Sequence, residues 1–241
     1  MTIMKKNIFY IMALALLTVG FTACEKQSAK QTKVTAYAAI ELAGPAYEII
    51  AINSPYTEPG YTATMDGKDV TDQVVITGAV DPTKSGIYTP TYSVTNPDGF
   101  VASTSRKVIV IDPANAIEGF WTNDPSSTRT YKGATVAFGS AFETLVIDNG
   151  DGTIYVDDLF GGWYSQGFDY GDTYNMNSVL SLDSDGTLEL LGSYIPSWKD
   201  GADWVKDGKW DATAKTITYK MQYYHSMEFN ITFNNKVDKG L

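Results

Sequence analysis

The chain has 241 residues, 28 acidic against 18 basic side chains, and a formal net charge of −10. It carries two arginines, Arg106 and Arg129, one histidine, His225, and one cysteine, Cys24. An acidic, arginine-poor surface repels phosphate backbones and argues against a nucleic-acid partner. A lone cysteine excludes an internal disulfide and a cysteine-built metal site. Aromatic residues make up 13%, glycine turns recur, and long helical periodicity is absent beyond the first two dozen residues, so an all-β fold is expected.

In chain order, Lys5 and Lys6 precede an apolar run over residues 8–20. That run is shorter than the roughly 20 residues that span a bilayer as a helix, so it reads as a secretory leader. It ends Phe21-Thr22-Ala23-Cys24, which resembles the bacterial lipoprotein signal, with Phe21 where leucine is usual. The resemblance implies a signal peptide over residues 1–23 and lipidation of Cys24. More than one lipid chain, at roughly 0.8 kcal/mol per buried methylene, gives stable anchoring. Losing Lys5 and Lys6 would take the net charge from −10 to −12. Residues 24–33 are polar and read as a tether, too apolar-poor to fold. The expected location is the cell envelope, anchored in the outer membrane through Cys24.

Residues 34–112 hold no tryptophan and one phenylalanine, Phe100. Short strands are expected at residues 47–52, 61–64, 74–77, 86–94 and 101–111, separated by Pro- and Gly-rich turns. Many short strands in so few residues suit a β-sandwich. The segment from Glu58 to Asp112 resembles the bacterial Ig-like repeats of surface proteins and crystal toxins. Pro59-Gly60, Asp66-Gly67, Tyr92-x-Val94, Asp98-Gly99 and Arg106-x-Val108-x-Val110 carry the likeness. The resemblance implies a spacer or presentation module. A proline-containing joint at 112–115 marks the expected boundary.

Residues 113–241 contain all five tryptophans. Strands are expected at 128–138, 142–147, 153–160, 179–182, 187–194, 208–210, 216–223 and 227–233. Asp151-Gly152 and Asp185-Gly186 are hairpin signals. Along 216–223, Ile217, Tyr219, Met221 and Tyr223 alternate with polar residues. Eight meandering strands predict an antiparallel up-and-down barrel with room for side chains or one small ligand. Gly119-Phe120-Trp121 is similar to the Gly-x-Trp of lipocalins and other calycins, where the tryptophan plugs one barrel end. As a whole the chain resembles uncharacterised Bacteroidetes lipoproteins that pair an Ig-like module with a β-rich C-terminal domain and often accompany glycan uptake. The expected fold is thus an N-terminal Ig-like β-sandwich plus a C-terminal, eight-stranded, lipocalin-like β-barrel.

Two aromatic stretches stand out as candidate ligand platforms. Residues 159–176 hold Trp163, Tyr164, Phe168, Tyr170 and Tyr174 with Asp169 and Asp172; residues 194–204 hold Trp198 and Trp204. Flat apolar rings beside polar groups suit sugars, whose C–H faces stack and whose hydroxyls hydrogen-bond. The competing expectation is that these rings fold back to cap the barrel. Chemistry for an enzyme is sparse. His225 is alone at a strand end, and the carboxylates Glu143, Asp157, Asp158 and Glu189 form no evident pair for glycoside hydrolysis. The turn Asp148–Gly152 superficially resembles a calcium loop but lacks the later Glu ligand, and Asp66, Asp69 and Asp72 lie close together; both sets read as turn residues. No phosphate-binding glycine loop occurs, and no cofactor or metal is expected.

The expectation is therefore a non-catalytic, lipid-anchored envelope protein that binds carbohydrate as an accessory of glycan uptake. An apolar or lipid ligand inside the barrel is one alternative. A structural partner of an outer-membrane complex is the other.

Overall fold

The computed structural model describes residues 34–241; the expected signal peptide, Cys24 and the expected tether lie outside them. Nine strands form the Ig-like part: β1 (Ala38–Leu42), β2 (Tyr47–Ala51), β3 (Tyr61–Met65), β4 (Lys68–Asp69), β5 (Val75–Thr77), β6 (Gly86–Tyr88), β7 (Thr91–Thr95), β8 (Val101–Ser105) and β9 (Lys107–Ile111). They make three small sheets, β1-β3-β4, β2-β9-β6 and β5-β7-β8. Two of the expected strands are each divided. Pro90 has no N–H to give a ladder, so 86–94 becomes β6 and β7 in different sheets. The run 101–111 divides at Arg106, whose N–H donates to the Pro90 carbonyl at 3.1 Å. Its side chain is fully buried and ion-paired with Glu58 at 2.9 Å, and Tyr92 donates to the same carboxylate. A core of Ala63, Val70 and Val94 is small, and this polar cluster joins elements that it cannot reach.

Ten strands follow: β10 (Gly119–Asn123), β11 (Thr128–Tyr131), β12 (Ala134–Ala137), β13 (Glu143–Asp148), β14 (Thr153–Val156), β15 (Asn177–Leu182), β16 (Thr187–Tyr194), β17 (Ala202–Asp211), β18 (Thr216–Tyr223) and β19 (Met227–Val237). β10 and β13 to β19 pair antiparallel in sequence order, and β10 pairs β19, closing an eight-stranded barrel. The expected strand 128–138 is instead the hairpin β11–β12, turning at Lys132-Gly133 where both residues have positive φ. That hairpin extends the barrel wall along the first half of β19. The strand expected at 208–210 is the end of the longer β17.

The inward residues of every strand meet in one cluster that includes Val146, Ile154, Leu180, Leu188, Ile217, Tyr219, Met221, Phe229, Ile231 and Phe233. The interior is thus a packed core, so of the two expected fillings, side chains or one small ligand, it holds side chains. Period-two alternation produces this directly, since β18 buries Ile217, Tyr219, Met221 and Tyr223 while Lys220 stays exposed. Trp121 fills one end. It is 1% exposed, its Nε1 donates to the Ile117 carbonyl at 2.7 Å, and it meets Trp210 edge-on at 5.7 Å. Gly119 beside it has φ +131, where side chains are strained.

The Ig-like part is docked on the barrel wall. Ile109 and Ile111 of β9 share a buried cluster with Phe120, Leu145 and Ile147, the outward residues of β10 and β13. The buried Glu118 carboxylate accepts the N–H of Asp112 at 2.7 Å and of Asp148 at 3.3 Å, tying the joint to the β13–β14 turn.

Candidate functional site

The strand order gives the barrel two unlike ends. Four-residue turns after β13, β15 and β17 lie at the Trp121 end. The opposite end, the mouth, carries the 20-residue segment 157–176 between β14 and β15, the segment 195–201 between β16 and β17, and the β18–β19 turn. Both expected aromatic stretches are therefore at one end.

Asp158 shapes the long segment. Its buried carboxylate accepts the N–H groups of Phe160 at 3.0 Å, Met176 at 3.1 Å and Gly162 at 3.1 Å, and the Ser165 hydroxyl at 2.9 Å. Both ends of the segment are pinned to one side chain. Burial pushes its pKa up to about 6 against those four donors. The neighbouring Asp157 accepts the Leu145 N–H at 2.7 Å, and burial, with the Asp158 charge, raises it to about 7. Gly162 has φ +82 and runs against Phe142, where a Cβ would collide.

From this anchor the aromatic residues divide by depth. Leu159 and Phe160 are fully buried, and Phe160 meets Phe229 at 5.1 Å and Tyr223 at 5.2 Å. Trp163 is half-buried on Phe138, with centroids 4.7 Å apart. Tyr164 lies over Phe160 and stacks towards Phe168 at 6.0 Å and Tyr170 at 6.3 Å. Phe168 and Tyr170 are 53% and 49% exposed. Tyr170 contacts Tyr174 at 5.1 Å, and Tyr174 contacts Trp198 at 5.2 Å. The second segment is locked to the first by the Ser197 N–H, which donates to the Thr173 carbonyl at 3.0 Å. Trp198 stacks on Tyr223 at 5.8 Å with planes 18° apart, and Asp200 accepts the Tyr223 hydroxyl. The result is a continuous ledge of rings, capping the core below and open above.

Trp204 departs from the ledge. It lies in β17 on the outer wall, its Nε1 donating to Gln222 Oε1 at 2.9 Å with the Lys206 ammonium 4.4 Å from its ring centroid. Asp169 is exposed at φ +56 between Phe168 and Tyr170. Asp172 opens a short 3₁₀ turn, and its charge acts on Asp157 and Tyr47, towards the Ig-like part. Sequence reasoning missed Tyr224, which is 67% exposed beside Tyr223 at 6.1 Å. Its signal was the Tyr223-Tyr224-His225-Ser226 turn, where Tyr224 and His225 both have φ +52.

Most of the remaining candidate groups have structural partners. His225 pairs with Asp203 through Nδ1 at 2.8 Å and is exposed. Glu143 pairs with Lys239, and Glu189 is exposed on β16. Asp148 accepts the Gly150 N–H and the Asn115 amide. Asp69 accepts the Thr71 N–H. Among the described residues, no three His, Cys, Asp or Glu side chains come together as a metal site. A cleft at the Trp121 end is lined by Pro113, Lys215 and Lys236, and the Lys236 ammonium donates to the Asn115 carbonyl at 2.6 Å.

An Ig-like module docked on a closed eight-stranded barrel defines the class, a two-part all-β protein. Residues 40–110 match the family described as bacterial surface protein, Ig-like domain, and residues 111–235 match a family described as a C-terminal domain. The crystal structure of the lipoprotein BT2262 from Bacteroides thetaiotaomicron is 32% identical, with a TM-score of 0.58, over 83% of this chain and 100% of that one. The chain belongs to the family of that lipoprotein. A structure of the CBM51-2 domain in complex with GlcNAc and INT domains from Clostridium perfringens ZmpB is 18% identical over 46% of this chain and 29% of that one, with a TM-score of 0.26, too distant to carry an argument. No curated protein matches the sequence.

Proposed function

We propose that the protein is a non-catalytic lipoprotein, anchored in the outer membrane through Cys24, whose barrel mouth binds carbohydrate. The observation that carries this reading is the ledge from Phe168 through Tyr170 and Tyr174 to Trp198. Two segments remote in sequence converge there and keep two large rings half exposed. Exposed rings cost solvation and are found where a partner covers them. Rigidity supports the same reading, because Asp158 and the Ser197–Thr173 bond fix the rings before any ligand arrives. Membership in a lipoprotein family supports the anchor, and the Ig-like module supports a role in holding the barrel off the membrane.

The test is a glycan-binding screen on the full chain, read by tryptophan fluorescence, since all five tryptophans lie in the barrel half. The barrel alone is a poor reagent, because Phe120, Leu145 and Ile147 would lose their cover. Saturable binding that is lost in Trp198→Ala and in Phe168→Ala/Tyr170→Ala, with the fold intact, is the expected outcome. Failure of every glycan to bind, with capture of another envelope protein through the same rings, would replace this reading by a structural role in an outer-membrane complex.

A further inference from the structure

At one corner of the mouth, hydrogen-bond donors outnumber acceptors. Arg129 and Tyr131 on β11 sit opposite Phe229 and Met227 on β19, and cross-strand partners share a face. Phe229 is a core residue, so Arg129 is turned towards the inner side of the mouth. Its guanidinium carbon lies 5.1 Å from the Tyr131 ring centroid and 5.9 Å from that of Trp163. Among the described residues, the ion pairs involve Arg106, Lys209, Lys220, His225 and Lys239, and not Arg129. The Arg129 Nη2 donates to the Met227 sulfur at 3.3 Å, and the Tyr164 hydroxyl, which also interacts with the guanidinium, donates to that same sulfur at 3.4 Å. A thioether is a weak acceptor for one strong donor and a poorer one for two. Arg129 Nε and Trp163 Nε1 are buried with no protein acceptor. The Lys132 ammonium stands 5.1 Å from the Tyr131 ring centroid, adding a second positive charge.

Aromatic faces offset part of the cost of holding a guanidinium away from water, but they do not accept its N–H bonds in a defined geometry. The other arginine, Arg106, looks different. Arg106 is fully buried and is met by the Glu58 carboxylate and the carbonyls of Ala43, Pro45 and Gly60. Arg129 is half-buried, and its ring neighbours Trp163 and Tyr164 lead directly to Phe168 on the ledge.

We propose that the ligand of the mouth is an acidic sugar, whose carboxylate is received between Arg129 and the Tyr164 hydroxyl while its ring lies on the Phe168–Tyr170 ledge. This rests on the carbohydrate reading above and narrows it to glycans that contain uronic or other carboxylated residues. The guanidinium supplies paired N–H donors to the two carboxylate oxygens. A chain of net charge −10 would otherwise repel a polyanion, so at the mouth recognition falls to this positive corner.

The test compares matched pairs on an oligosaccharide array, each uronic-acid oligosaccharide beside its carboxyl-reduced counterpart, with the full chain as probe. The acidic member is expected to bind about ten- to a hundred-fold more tightly, the range for a hydrogen bond to a charged group. That preference should vanish in Arg129→Gln, persist in weakened form in Arg129→Lys, and fall with added salt while neutral binding does not. Equal affinity within every pair, or a preference that survives Arg129→Gln, overturns the inference and leaves the carbohydrate reading standing. Binding to no glycan of either kind overturns both. If Arg129→Gln does not fold, the matched pairs and the salt series on the native chain still decide.

Discussion

The two ends of the barrel are closed by the same residue type to different effect. At one end Trp121 is 1% exposed, bonded through Nε1 and framed by four-residue turns. At the other, Trp198 is half-buried in a ledge of rings supported by 20 residues of non-strand chain. A plug and short turns suffice to close a barrel. The extra chain at the mouth buries only part of its aromatic surface, and ordering it costs entropy. Such an excess is expected of a binding surface held on a rigid scaffold, not of a lid.

The largest effect that breaks this comparison should come from the plug. Trp121→Ala removes the biggest fully buried side chain and its hydrogen bond. Core aromatic-to-alanine changes cost about 3–5 kcal/mol, so the thermal midpoint should fall by about 10 °C in calorimetry. A fall of a degree or two would mean that the end is held by the turns instead.

Asp158 comes next, because it holds the mouth without belonging to the ledge. Asp158→Asn keeps the shape but presents an NH₂ group to donors, so about two bonds are lost, at about 1 kcal/mol or more each. The native chain also has a pH signature. Burial raises Asp158 to about 6 and Asp157 to about 7, above the unfolded value of 3.8. The folded state therefore binds protons more tightly than the unfolded one. This stabilisation is full below about pH 4 and is lost as pH rises through about 6 to 7. Denaturation midpoints measured from pH 4 to 8 should show that decline, and Asp158→Asn should flatten its lower part. A stability that climbs over the same range would contradict the burial assigned to the pair.

Much of the barrel is legible in the sequence, and the reason is local. β16 and β18 both match their expected spans; in β18 strict alternation with a buried face fixes both period and register, whereas β16 keeps its span across a bulge near Leu191. The Asp-Gly hairpin signals coincide with turns in which Gly152 and Gly186 have positive φ. The docking of the Ig-like part was also written locally, though it went unread. Leu145-Val146-Ile147 and Val108-Ile109-Val110-Ile111 are apolar on both faces, the mark of a strand covered on both sides. The meeting of Trp163, Trp198 and Arg129 left no such mark. Their spacing has no period, and only the closed curve of the wall brings them to one mouth. Trp204 shows the converse. Its neighbourhood resembles that of Trp198 in sequence, yet it lies within β17, where its partner Gln222 faces outward.

That last contrast gives the finest test. Trp198→Ala should weaken glycan binding by at least about 30-fold, as removal of a central aromatic anchor does, or about 2 kcal/mol. Trp204→Ala should leave affinity within about twofold. It loses one part-buried hydrogen bond to Gln222 and the contact with Lys206, together about 1 kcal/mol of stability. Both variants keep four of the five tryptophans, so the same fluorescence titration reads each. If Trp204→Ala abolished binding and Trp198→Ala did not, the ligand would lie along the β17–β18 wall with Lys206, and the mouth would be a cap alone.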